Sequence, residues 1–159
     1  MALLLASCSS SSAPKSYEYK FVPGKSAIMR GNVAFIPTSA PEAVKRAIGA
    51  GNRLQGKPYI YGGGHRRIED VGYDCSGTLS YVLYHAGLLK GTMASDEFRS
   101  YGKPGEGKWI TIYAKKGHVF CTIGGLRLDT GYHGQNEGPR WSMKPRPAKG
   151  CMVRHPPGL

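Results

Sequence analysis

The order in which helical and extended patterns follow one another is the feature that most limits the fold of this 159-residue chain. Two stretches with helical spacing of apolar residues come first, and four stretches of extended pattern follow, without alternation between the two kinds. A β-α-β alternation would predict a parallel sheet, whereas this order predicts an α+β domain with N-terminal helices packed on an antiparallel β-sheet. The length leaves room for one such domain and hardly for two.

Capping residues indicate where the two helices begin and end. Ser39 is followed three positions later by Glu42, a capping box that predicts a first helix ending near Gly51. A second helix is expected to begin at Asp74 and to end at Gly87, where Leu88 folds back as an apolar contact. Its apolar residues repeat at i, i+3, i+4 and i+7 and predict one buried face: Leu79, Val82, Leu83 and Ala86.

Extended patterns predict the strands and the register of one hairpin. The four predicted strands cover residues 109–114, 118–123, 126–130 and 151–154. Gly124-Gly125 is typical of a two-residue hairpin turn, which places Ile123 opposite Leu126. Side chains alternate along each strand, so His118 and Asp129 share a face while Cys121 lies on the core face. Asp129 is then a diagonal neighbour of His118 at roughly 5–8 Å, close enough to orient its imidazole as a base. The alternative is a surface ion pair without a role.

Cys75 lies in the first turn of the second predicted helix, where a thiol is activated by the helix N-terminus. The free amides and the positive dipole end of the first turn stabilise a thiolate and can donate to an oxyanion. The alternative is a cysteine that only packs. Cys121 and Cys151 form no Cys-x-x-Cys pair, so a zinc site is not expected, and the two are interpreted as a disulfide or as buried thiols.

Three ordered segments resemble the NlpC-type family of cysteine peptidases. They are Gly72-Tyr73-Asp74-Cys75-Ser76-Gly77 before an apolar helix, Gly117-His118-Val119 opening a strand, and the tyrosine-bearing Pro58-Tyr59-Ile60-Tyr61-Gly62-Gly63 upstream. The resemblance covers about residues 41–155. It implies a papain-like α+β fold and a hydrolase that cuts peptidoglycan stem peptides, commonly between γ-D-glutamyl and a diamino acid.

Carried over by position, the resemblance assigns a role to each matching residue. Cys75 is the nucleophile, His118 the base and Tyr59 the hydroxyl near the oxyanion. Asp74 and Ser76 flank the nucleophile, where they would help to recognise polar ends of the peptide. No cofactor and no metal is implied.

The third catalytic position departs from the commonest family pattern, in which a histidine orients the base. Asp129 occupies it here, as the hairpin parity independently indicates, and His133 beyond Gly131 is the substitute candidate. We expect Asp129→Asn to lower turnover ~10²-fold while leaving the melting temperature nearly unchanged. His65 and Arg66-Arg67 could line the substrate cleft and contact carboxylates, but a solvated loop is the favoured interpretation.

The N-terminal residues resemble the lipobox of exported lipoproteins. Leu5-Ala6-Ser7 precedes Cys8, which would be acylated, although the apolar stretch before it is short and lacks a basic start. Either the start codon lies further upstream or the match is accidental. The predicted organisation is a signal remnant over residues 1–8, a flexible tether over 9–38 with one short strand near 32–36, and the peptidase domain over 39–159. This predicts a cell-envelope location, periplasmic or anchored to the outer membrane, with membrane attachment through the lipid on Cys8.

The net charge of +12 favours a polyanionic partner, for which peptidoglycan in an anionic wall is the prediction. The basic residues are scattered, which does not favour a specific nucleic-acid element, and solvated charge without a partner is the alternative. Two other functions stay open: an acyltransferase or amidase that uses the same Cys–His pair, and a catalytically inactive wall-binding module.

Overall fold

Two helices and antiparallel sheets make up the fold in the computed structural model, which describes residues 16–132 and 137–159. The helices are α1, Glu42–Arg53, and α2, Cys75–His85, with one turn of 3₁₀ helix at Glu97–Ser100. The α+β class predicted from the sequence is confirmed. The strands are β1 Ser16–Tyr17, β2 Ile28–Arg30, β3 Val33–Phe35, β4 Lys103–Pro104, β5 Ile110–Lys115, β6 His118–Ile123, β7 Leu126–Asp129, β8 Arg140–Ser142, β9 Arg146–Pro147 and β10 Met152–His155.

The main sheet is antiparallel throughout and has the strand order β4-β10-β5-β6-β7-β8. Small two-stranded sheets, β1-β9 and β2-β3, accompany it. Ile123 pairs with Leu126 across the glycine turn, which confirms the predicted hairpin register. Trp141 is buried in strand β8, which pairs with β7 at the edge of the sheet.

Helix α2 is buried on all sides rather than on one face. Every residue from Cys75 to Leu83 is buried, including Ser80, because the helix lies between α1 and strand β6. The prediction of a single apolar face was therefore too narrow. Its C-terminal end follows the prediction: Gly87 adopts a φ of +75°, and the Leu88 amide donates to the Leu83 carbonyl at 2.8 Å.

Helix α1 begins without the predicted serine cap. Pro41 occupies the N-cap position and provides no side-chain hydrogen bond. The Ser39 hydroxyl instead donates to the Gly24 carbonyl at 2.6 Å, because residues N-terminal to the helix fold back against it. The capping-box prediction was wrong in its hydrogen bonds, although the helix lies where the pattern predicted it.

Residues 16–38 are packed against the domain, which corrects the prediction of a flexible tether over this part. Tyr17 is 5% exposed, and its hydroxyl donates to the Gly125 carbonyl at 2.8 Å. In α1, Asn52 Oδ1 accepts from the Ala34 amide at 2.9 Å, and Asn52 Nδ2 donates to the Ala34 carbonyl at 3.0 Å. The single strand predicted near residue 34 is half of the β2–β3 hairpin. Residues 1–15, which include Cys8 and the start of the predicted tether, lie outside the described part.

The main sheet separates two apolar clusters. The larger one contains the helices and the inward residues of β5, β6 and β7, and the smaller one covers the opposite face of the sheet. Cys121 belongs to the first cluster and Cys151 to the second, and both thiols are free. The disulfide considered from the sequence is therefore absent, because the sheet lies between the two side chains. Among the described residues, no helix is long and apolar enough to cross a membrane.

Candidate active site

Cys75 is the first residue of α2, and Asp74 caps the helix directly before it. The Asp74 Oδ1 atom accepts from the Gly77 amide at 2.7 Å, which satisfies one of the free donors of the first turn. The amides of Cys75 and Ser76 precede the first intrahelical hydrogen bond and lie at the positive end of the helix dipole. Cys75 is 9% exposed, so its thiol has little water around it and feels this field strongly.

A glycine loop packs directly on the start of α2. A Cβ atom on Gly77 would lie 2.0 Å from the Gly63 carbonyl oxygen, and one on Gly63 would lie 2.4 Å from the carbonyl oxygen of Gly72. The second carboxylate oxygen of Asp74 accepts from the Gly62 amide at 3.0 Å. Only glycine at these positions allows the loop to approach so closely, and the capping carboxylate joins loop and helix. Both oxygens of the Asp74 carboxylate accept from neighbouring donors in the structure, and the role in peptide recognition that the resemblance assigned to Asp74 stays a prediction.

His118 joins the thiol to a buried carboxylate, as the hairpin parity predicted. Its Nε2 donates to Asp129 Oδ1 at 2.9 Å, and its ring lies close enough to the Cys75 side chain to interact with it electrostatically. Burial acts to lower the pKa of His118, but the hydrogen bonds and charges of Asp129 and Cys75 outweigh it and raise the pKa to about 9. The geometry therefore favours an imidazolium beside the thiol, the arrangement in which a cysteine becomes a strong nucleophile.

Two arginines neutralise Asp129 from the side opposite His118. Arg127 Nη1 donates to Asp129 Oδ2, Arg146 Nε forms an ion pair with the same oxygen at 3.2 Å, and the Thr130 amide donates to Oδ1 at 2.8 Å. The Arg127 side chain is 1% exposed and that of Asp129 is 3% exposed. The sequence analysis missed both arginines. The strand parity places Arg127 on the face of Asp129, whereas nothing in the sequence connects Arg146 to this site.

Tyr59 lies beside the nucleophile on an extended segment that runs along the residues before α2. The Tyr73 amide donates to the Pro58 carbonyl at 3.0 Å, which aligns the two segments. Burial and the neighbouring Cys75 and Asp74 groups raise the pKa of Tyr59, so its hydroxyl stays protonated and able to donate. The role of this hydroxyl near the oxyanion stays a prediction.

His65 belongs to the site, contrary to its interpretation as part of a solvated loop. Its Nε2 lies 3.0 Å from both Asp74 Oδ1 and Ser76 Oγ. Ser76 is buried at 5% exposure, and its hydroxyl points back to the Asp74 carboxylate at 3.3 Å. Asp74, Ser76 and His65 thus form one polar network next to Cys75. The tyrosine–glycine loop carries His65 there, next to residues 9 and 11 positions further along the chain.

The remaining candidates do not join the site or cannot be placed. His133, the substitute for Asp129, and Cys8, the predicted lipidation site, lie outside the described residues. Within residues 16–132 and 137–159, no group of three or more His, Cys, Asp and Glu side chains is arranged to hold a metal ion.

The arrangement allows thiol chemistry at a carbonyl carbon. It comprises an activated sulfur, a protonated ring that can supply a proton, and amide and hydroxyl donors around the position of an oxyanion. Comparison with known proteins adds no family: neither a scan against protein-family models nor a search of curated proteins finds a match for this chain.

Proposed function

We propose that the chain is a cysteine peptidase of the NlpC type, with Cys75 as nucleophile, His118 as base and Asp129 as the orienting carboxylate. The observation that carries the proposal is the continuous chain of contacts from the thiol through the imidazole to a buried carboxylate, with 2.9 Å between His118 Nε2 and Asp129 Oδ1. A merely structural cysteine needs no such partners, and a surface His–Asp pair would not be buried beside a helix N-terminus.

The papain-like arrangement is part of the same proposal. Its support is the packing of α2, which carries the nucleophile at its first residue, against β6, which carries the base at its first residue. An antiparallel sheet then supplies the third residue from the adjoining strand, β7.

The reaction follows from the positions of these groups. The Cys75 thiolate attacks the scissile carbonyl, and the oxyanion that forms is stabilised by the Cys75 amide and the Tyr59 hydroxyl. His118 donates its proton to the departing amine, which leaves a thioester on Cys75. His118 then accepts a proton from water, whose oxygen attacks the thioester, and the acid product leaves with the thiolate restored. Asp129 holds the ring orientation and its positive charge throughout.

Peptidoglycan stem peptides are the substrate class that we propose. The support is the sequence resemblance, together with a groove of about 490 Å³ beside the glycine loop. Arg66, Arg67 and Asp70 line this groove. Arg67 pairs with Asp70 at 3.6 Å, and the guanidinium of Arg66 matches the carboxylates that stem peptides carry. The net charge of +12 adds attraction to an anionic wall. Export to the cell envelope, and attachment through a lipid on Cys8, belong to this proposal as well.

The test is digestion of purified muropeptides by the full chain, with mass spectrometry of the products. We expect cleavage within the stem peptide by the wild type and none by Cys75→Ser, because a serine hydroxyl in the same place is a much weaker nucleophile than a thiolate. Cys151→Ser is the matched control, since Cys151 is also buried but lies on the opposite face of the sheet. Transfer of the acyl group to an added amine in place of hydrolysis would indicate an acyltransferase. Wall binding without any cleavage would contradict the proposal.

A further inference from the structure

The β2–β3 hairpin presents an apolar face to solvent. Ile28 pairs with Phe35, and Arg30 pairs with Val33, so these four side chains share one face. The three apolar ones are 42–49% exposed. The other face, with Met29 and Ala34, packs into the core. A soluble surface rarely places large apolar side chains together in this way without a partner.

The same segment is basic and lacks acidic residues. Residues 19–41 contain Lys20, Lys25 and Arg30 and no Asp or Glu, and all three basic side chains are exposed. Phe21, Val22 and Ile36 in this segment are also exposed, at 44–56%. The guanidinium of Arg30 lies 5.1 Å from the centre of the Phe35 ring, so charge and apolar surface are adjacent.

We propose that this hairpin face, Ile28, Arg30, Val33 and Phe35, is a docking surface for an anionic lipid membrane. Apolar side chains surrounded by Lys and Arg are the composition that enters the headgroup region of such a membrane. Binding of an anionic wall polymer would account for the exposed basic side chains but not for the exposed apolar ones. A second copy of the chain would bring the three basic residues against themselves, which disfavours self-association through this face.

The hairpin is held on a rigid support. The Asn52 side chain fixes the backbone of Ala34 by two hydrogen bonds, so the four side chains of the face keep their relative positions. An open cavity of about 550 Å³, lined by Trp141, Met143 and Pro145, lies next to Met29 on the other side of the hairpin and is not part of the docking surface.

Vesicle sedimentation with the full, non-acylated chain tests the proposal. We expect binding to vesicles of phosphatidylcholine mixed with phosphatidylglycerol, weaker binding to phosphatidylcholine alone, and release as salt is raised. Val33→Ser combined with Phe35→Ser should weaken binding about tenfold or more, because the inserted apolar surface is lost. Lys25→Gln should weaken it about fivefold on anionic vesicles and leave binding to neutral vesicles unchanged.

Met152→Ser is the matched control. Met152 is 47% exposed, like Phe35, but it lies on β10, toward the opposite end of the main sheet from β8 and the cavity. Its vesicle binding should equal that of the wild type, and circular dichroism should show that all variants are folded. Absence of vesicle binding by the wild type, or equal binding by the Val33/Phe35 variant, would overturn the proposal. So would sedimentation analysis that shows a dimer which the same variant dissociates, because the occupant would then be a second copy.

Discussion

Asp129→Asn should remove catalysis and stability together, because one carboxylate serves both. Asp129 accepts from His118 on one side and faces Arg127 and Arg146 on the other. Asparagine keeps the shape of the side chain but not its charge. From the sequence alone the melting temperature was expected to stay nearly unchanged. The structure corrects this expectation, because the variant leaves two largely buried guanidinium groups without an anion.

The magnitudes follow from burial and from the His118 pKa. Removing one partner of a buried ion pair costs about 3–5 kcal/mol, which in a chain of this size lowers the melting temperature by about 6–20 °C. The rise of the His118 pKa from 6.5 to about 9 corresponds to about 3 kcal/mol of preference for the imidazolium, shared between Asp129 and Cys75. Without Asp129 the imidazolium is less stable and the His118 ring is no longer held in one orientation. Turnover should therefore fall by ~10²-fold or more.

A double variant separates the two effects. Arg127→Met combined with Asp129→Asn removes one buried cation together with the carboxylate, so much of the lost stability should return while activity stays low. The assay is turnover on one muropeptide and the melting temperature for wild type, single variant and double variant. The pH dependence of Cys75 alkylation reports on the Cys75–His118 pair directly. In both variants the pKa of His118 should fall, because the Asp129 carboxylate no longer stabilises the imidazolium.

Three outcomes would refute this reasoning. Wild-type turnover in Asp129→Asn would show that the carboxylate does not orient His118. A wild-type melting temperature in the same variant would show that the arginine cluster does not depend on it. His133→Ala should be mild, and a crippled His133→Ala beside an active Asp129→Asn would transfer the third catalytic role to the histidine.

Three further predictions concern the thiols, the glycine contact and pH. Iodoacetamide should label Cys75 faster than Cys121 or Cys151, whose pKa values burial raises, and equal labelling of the folded protein would contradict an activated thiol. Gly77→Ala should destabilise the chain by about 1–3 kcal/mol in denaturant unfolding, because its Cβ would lie 2.0 Å from a facing carbonyl oxygen; an unchanged midpoint would refute that contact. Because the pKa of His118 is raised on folding, its contribution to stability is complete below about pH 6.5 and is lost as pH rises through about 9. The difference in melting temperature between wild type and His118→Gln should shrink over that range, and a constant difference would count against the raised pKa.

Local rules were sufficient for the parts of the site that lie on one hairpin or one helix end. The two-residue turn at Gly124-Gly125 sets the register, and the period of two along a strand then brings Asp129 to His118. The cap at Asp74 likewise depends only on its immediate neighbours. These features could be predicted because each is decided by a few adjacent residues.

Tertiary contacts decided what the sequence patterns did not predict. Arg146 reaches the site from a distant segment, so its position along the chain carries no sign of its partner Asp129. Helix α2 is enclosed between α1 and β6, which buries polar positions such as Ser80 that a one-sided pattern assigns to solvent. The predicted tether folds back because Asn52 holds the backbone of Ala34, a contact that no local periodicity encodes.

Trapping the covalent intermediate tests the central claim most directly. The wild-type chain is mixed with a muropeptide, quenched in acid within one turnover and mapped by mass spectrometry. The account predicts a thioester on the Cys75 peptide whose added mass equals the acid product less one water, and no such adduct on Cys121 or Cys151. Hydrolysis that continues in Cys75→Ser, or an adduct on another residue, would contradict it.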